Sequence, residues 1–165
     1  MASVGAGLVT AGLREPATPV AAPPAVTVTV DPPAPAEPAP LPTAEADRHT
    51  CMEGWLTARG LVNKAVVIGN ELPKGDDAAV RDDPEWRYAV ERIGKLFRQA
   101  GDSLEPQIAL GTTPALAEAA RAAAAALRTE GYAFETFNPG MGNASAMEDE
   151  TSGLMAALCT RLVPE

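Results

Sequence analysis

Two cysteines, one histidine and a loop crowded with aspartate are the residues of this 165-residue chain whose types could do chemistry. Cys51 and Cys159 are its only cysteines, so they form either two thiols or one disulfide. His49 is flanked at four-residue spacing by Glu45 and Glu53, which places the three on one helix face. Such a set touches a divalent ion only weakly, and no second histidine exists to complete a metal site. A serine or cysteine nucleophile would need His49 as its base. Cys51 points to a different helix face, however, and no Gly-x-Ser-x-Gly turn occurs. Haem ligation by His49 or a methionine suits a helical bundle, but an exposed helix histidine is the simpler reading. Asp76, Asp77, Asp82, Asp83 and Glu85 lack the alternating spacing of a calcium loop and read as a solvated turn with a helix cap. Without a glycine-rich phosphate loop either, the chain reads as non-enzymatic, with no cofactor and no metal.

The elements that position the two sulfurs are helices. From Thr43 to Leu72, positions Cys51, Trp55, Ala58, Val62, Ala65, Gly69 and Leu72 step by four and three, the seam of a helix packed on others. Thr43 is the expected N-cap, and Pro73 ends the helix. Asp83-Pro84-Glu85 opens a second helix with a cap, a first-position proline and an acid in the first turn. Trp86, Val90, Ile93, Phe97, Ala100 and Leu104 form its seam, and Pro106 stops it. Thr113-Pro114 repeats the opening signal for a third helix, with Thr113 as cap. This helix contains the run Ala122 to Ala126, able to lie very close to a partner helix, and stops at Gly131 or at Asn138-Pro139-Gly140. Residues 138 to 146 read as loop, with Asn143-Ala144-Ser145 a chance-prone glycosylation match. A last helix follows from about Met147 to Leu162. Its first turn holds Glu148-Asp149-Glu150, and its apolar stripe is Met147, Thr151, Leu154, Leu158 and Leu162.

The fold class expected is therefore all-α, an antiparallel four-helix bundle over residues 43 to 165. In an up-down-up-down order the first and last helices are neighbours, which brings Cys51 and Cys159 to the same end. That coincidence favours a disulfide, Cys51–Cys159, closing a loop of about a hundred residues worth ~4.7 kcal/mol in the chain-entropy model. Hydrophobic residues are 46% of the chain and aromatics only 4%, so the bundle is built from Leu, Val, Ile and Ala and gains from a staple. A disulfide in turn belongs to an oxidising compartment.

Residues 1 to 13 are apolar, small and uncharged. They are too short to span a bilayer but match the hydrophobic part of a signal peptide or the remnant of an anchor, so membrane attachment through the N-terminus is one expectation. Residues 14 to 42 hold ten of the 16 prolines among Ala, Val and Thr. This disordered, polyproline-like linker would reach about 90 Å, and it reads as a spacer that carries the domain away from a membrane or through a wall. A net charge of −9 repels phosphate backbones and excludes nucleic acid as a partner.

Four short stretches carry a resemblance: Cys51-Met52-Glu53-Gly54-Trp55, Asp83-Pro84-Glu85-Trp86, Gly111-Thr112-Thr113-Pro114-Ala115-Leu116 and Leu158-Cys159-Thr160-Arg161-Leu162. Together they resemble small exported helical proteins of mycobacteria and related actinobacteria, which carry a hydrophobic anchor, a Pro/Ala-rich spacer and a compact domain. The resemblance covers residues 48 to 164, and it implies export to the cell envelope or beyond but no activity. The function expected is a non-enzymatic, envelope-associated accessory or interaction module with a protein partner in the envelope. The second reading is a carrier of a small hydrophobic ligand, lipid or haem, in a cavity beside Ala122–Ala126 where Trp55, Trp86 and Phe97 converge.

Overall fold

A computed structural model describes residues 38–138 and 140–164, and the described regular structure is entirely helical. The apolar stretch 1–13 and the Pro/Ala-rich segment as far as residue 37 lie outside the described residues. The end of that segment is already tied down, because Leu41 N–H donates to the Leu110 carbonyl at 2.8 Å. Gly111 makes room for this pairing. At its φ of 103° a side chain would meet the Leu41 carbonyl oxygen at 2.2 Å.

The first long helix keeps its expected span but not a uniform pitch. It consists of α1 (Thr43–His49), a π-helical stretch Thr50–Trp55, and α2 (Leu56–Glu71). Pro42, not Thr43, holds the N-cap position, and its carbonyl accepts from the amides of Glu45 and Ala46. Cys51, Trp55, Ala58 and Ala65 of the expected seam are buried, while Val62 and Leu72 are partly buried and Gly69 is exposed. The π turn adds a residue to the spiral, which shifts the seam ahead of it: Ala46, Asp47 and Thr50 are buried there.

A single turn, α3 (Ala78–Arg81), interrupts the expected loop, with Asp77 Oδ1 accepting from Ala79 N–H at 2.9 Å. Helix α4 (Pro84–Leu104) opens as its sequence predicts, Asp83 Oδ1 accepting from Glu85 N–H at 2.8 Å. It closes in a 3₁₀ turn, Glu105–Gln107, around Pro106. Helix α5 (Pro114–Glu135) passes through Gly131 and ends in a left-handed cap. Phe137, at φ 52°, occupies the position usually given to glycine. Its ring is held by Arg87, 4.5 Å from the centroid, and by Trp86 at 6.1 Å between centroids.

Helix α6 (Met141–Leu162) corrects the expected loop at 138–146 and the expected start at Met147. Asn138 Oδ1 accepts from Gly140 N–H at 2.8 Å, and the Gly140 carbonyl accepts from Asn143 and Ala144, which launches the helix two turns early. Glu148-Asp149-Glu150 consequently stand in mid-helix, away from the dipole's positive end. The stripe is corrected too: Met147 and Leu154 are exposed, and Met155 is fully buried instead. The inward face runs Ala144, Glu148, Met155, Cys159, so Cys159 belongs to the stripe, from which the expected set left it out.

Helix α4 packs between α2 and α5, and α5 between α4 and α6. The α4–α5 contact is backbone-close. A Cβ on Gly94 would stand 2.6 Å from the Gly131 carbonyl oxygen, one on Gly131 2.5 Å from that of Gly94, and one on Gly101 2.5 Å from that of Ala124. The alanine run thus does meet a partner helix closely. Between α2 and α6 there is hardly any contact, and α6 reaches the first helix mainly through α1. No helix among the described residues is long and apolar enough to cross a membrane.

Candidate docking groove

The Cys51–Cys159 disulfide is formed, with its Cα atoms 5.6 Å apart, an ordinary span for such a bond. Several polar contacts hold Cys51 in place for it. Asp47, buried, accepts from Thr113 N–H through Oδ1 and from the Thr113 hydroxyl through Oδ2, both at 2.7 Å. The cap of α5 therefore comes from another helix, and the Thr113 side chain does not cap its own. A carboxylate at this helix start is favoured by the axial dipole as well as by the two donors. The Thr50 hydroxyl accepts from Ala109 N–H at 3.2 Å and bonds the Thr112 hydroxyl at 2.9 Å. Gly54 makes the closeness possible, since its Cβ would lie 3.1 Å from Gln107 Cβ.

His49 is engaged here rather than free. Its Nε2 lies 3.0 Å from Gln107 Oε1, a contact that requires the ring proton on that nitrogen. Among the described residues no group of three His, Cys, Asp or Glu side chains stands close enough to hold a metal ion. Asp77 and Asp83 of the acidic loop serve as helix caps.

From the disulfide, a groove runs along the seam between α2 and α6. Its first hollow, about 490 Å³, is lined by Met52, Trp55, Leu56, Val163 and Pro164 together with the two cysteines. A second, about 280 Å³, shares Trp55 and continues over Arg59, Val62 and Val66 on α2 and Glu148, Ser152, Gly153 and Ala156 on α6. Leu56 is 52% exposed and Val66 48%, so the α2 wall offers apolar surface to solvent. The disulfide joins the two walls at one end only.

Two buried carboxylates stand here, Glu148 on the α6 wall itself and Glu130 behind it on α5. Glu130 on α5 accepts from the Ser145 hydroxyl at 2.6 Å through Oε1, and its Oε2 has no hydrogen-bond partner. Glu148 accepts from Ser152 one turn on. Burial pushes the Glu130 carboxyl above its usual range; the Ser145 bond opposes this, and the negative Glu148 and Asp149 add to it. Burial likewise raises Glu148, with Asp149 adding and Ser152 and Arg59 opposing. No ion pair among the described residues includes Glu130, Glu148 or Asp149. Arg59 instead lies over the Trp55 ring, 5.9 Å from its centroid.

The expected convergence of Trp55, Trp86 and Phe97 does not occur. Trp86 donates from Nε1 to the Pro73 carbonyl at 3.0 Å, beyond the far end of α2. Trp55 lies at the near end, some 24 Å away along a helix of this length. Phe97 stacks on Phe134 at 5.6 Å instead.

Neither protein-family models, nor curated proteins, nor solved structures match this chain. The groove must be read from its own chemistry. The cysteine pair is the part that sequence reasoning located. It missed Asp47, Glu130 and Glu148. For Glu148 a signal existed: stepping back from Cys159 by four, three and four residues reaches Met155, Ser152 and Glu148.

Proposed function

We propose that this chain is a non-enzymatic helical interaction module, exported or attached to the cell envelope through its apolar N-terminal stretch with the Pro/Ala-rich segment as spacer, and that a partner protein docks along the α2–α6 groove. The four long helices act as a bundle left open on that side. The observation that carries the reading is the groove itself: two long helices joined at one end by a disulfide, with Leu56 and Val66 half-exposed between them. Apolar side chains on a stable scaffold that leave a seam uncovered mark an interaction site. The staple fits an oxidising compartment, and the resemblance to exported actinobacterial proteins agrees with it.

The test is a photo-crosslinking amino acid placed at Val66 in the groove, or at Thr129 on the exposed face of α5, in cells that make the protein. Adducts to a discrete partner from Val66 and none from Thr129 are expected. Equal adducts from both positions would refute the groove as the docking site.

A carrier of a small hydrophobic ligand, lipid or haem, is the second reading, favoured by the apolar hollow of about 490 Å³ beside the disulfide. It predicts a ligand mass retained in native mass spectrometry of the endogenous protein, and an apo mass alone would sink it.

A further inference from the structure

We infer that the occupant of the α2–α6 groove is an amphipathic α-helix bearing a lysine or arginine that pairs with Glu148, an assignment that rests on the docking reading above. Three features single out this occupant.

The first is the backbone. The groove walls are helices whose backbone groups bond internally, so no strand edge faces an incoming segment. An extended peptide pressed into this apolar seam would bury N–H and C=O groups with nothing to pair them, whereas a helix arrives with its own satisfied.

The second is the shape of the walls. On α6 the wall is low, made of Ser152, Gly153 and Ala156, and a Cβ added at Gly153 meets nothing within 4 Å. On α2 the wall is apolar at Val62 and Val66, with Arg59 and Asn63 beside them. A helix can therefore lie close to α6 and set its apolar side chains against α2, as a further member of the bundle would.

The third is charge. Glu148, 7% exposed, lines the groove beside Asp149, and buried Glu130 stands behind it on α5; none of the three has a cation in ion-pair contact among the described residues. Arg59 lines the same hollow and its field reaches Glu148, but it lies over Trp55 and forms no ion pair there. An ionised carboxylate held out of water is costly unless paired, and a guanidinium or ammonium on the incoming helix supplies a direct partner. The chain's net charge of −9 draws a basic partner in and repels anionic lipid headgroups. A second copy of this chain docked by the same face would set Glu148 against Glu148, which charge disfavours.

The test uses the full chain with its disulfide intact and two synthetic helical peptides of about 18 residues, long enough to lie along α2. Both carry the same Leu/Ala face, flanked in one by arginine and in the other by glutamate. The arginine peptide is expected to bind at least about tenfold more tightly by fluorescence anisotropy. Glu148→Gln should narrow that preference to about twofold, while Glu118→Gln, the same charge change on the exposed side of α5, should leave it intact. Val66→Asp should weaken the arginine peptide's binding. Equal effects of Glu148→Gln and Glu118→Gln would show general charge attraction and overturn the assignment, as would tighter binding of the glutamate peptide. If neither peptide binds while the Val66 crosslinker still captures its partner, this assignment falls and the docking reading stands. If the Val66 crosslinks are also absent, both fall.

Discussion

Glu130 on α5 and Glu148 on α6 share one helix interface, and each draws one hydroxyl from α6, Ser145 for the first and Ser152 for the second. The fold thus places two carboxylates where burial disfavours their charge; the field of Glu148 adds to that penalty at Glu130, and the field of Asp149 adds to it at both.

The pH dependence of stability follows. Burial raises the Glu130 carboxyl above its unfolded value of 4.5, so the folded state binds the proton more tightly than the unfolded chain. Its stabilising contribution is complete below about pH 4.5 and is lost as pH rises through the folded value. Glu130→Gln keeps the shape and removes the charge. At pH 7 the variant should be more stable than the parent by roughly 1 kcal/mol, and near pH 4 the two should coincide. Thermal melts of both proteins at the two pH values measure the difference. A constant offset would show that the carboxylate is not held against its charge.

Reduction should loosen the last helix first. The disulfide closes a separation of 108 residues, and its loss should cost about 2–5 kcal/mol. Since α6 has little contact with α2, amide exchange after reduction should rise most near Cys159 and least where α4 meets α5. Hydrogen exchange of the oxidised protein and of the Cys51→Ser, Cys159→Ser double variant reads this directly. Uniform deprotection would mean that the staple holds the whole bundle rather than its open side.

Glycine-to-alanine changes should divide sharply by place. Gly94→Ala puts a methyl 2.6 Å from the Gly131 carbonyl oxygen, and prying α4 from α5 should cost about 2–4 kcal/mol. At Gly60 a Cβ meets nothing within 4 Å, so Gly60→Ala should stabilise by about 0.5–1 kcal/mol through helix propensity. Urea titrations of the two variants give opposite shifts of midpoint. Like shifts would contradict the backbone-close crossing.

What the sequence made legible was whatever local chemistry dictates alone. Asp83-Pro84-Glu85 opens α4 because cap, proline and acid all act within one turn, and no tertiary contact competes with them. The pairing of Cys51 with Cys159 followed from helix order. Helix α6 was misread at its start because residues 138–146 carry loop-type chemistry although Asn138 and Gly140 launch a helix there, and on its face for another reason. Its inward stripe includes Glu148, and a hydrophobic pattern passes over a buried glutamate in favour of Met147 and Leu154 one register away. Thr113 was misread because the group that caps α5 lies 66 residues earlier, at Asp47. The groove was hidden for a similar reason. The gap between α2 and α6 depends on how α4 and α5 cross, and their mutual glycines are meaningful only once both helices are in place.

The Cys51–Cys159 bond also sets where mechanical load travels. Tension applied between the two ends of the domain runs through residues 38–51, crosses the sulfurs and leaves through residues 159–164. All of α2, α4, α5 and most of α6 lie inside the covalent ring and carry none of that tension. A pull through these ends strips α1, with Asp47, from Thr112 and Thr113, then meets a covalent bond. The groove walls inside the ring stay in register under such a force.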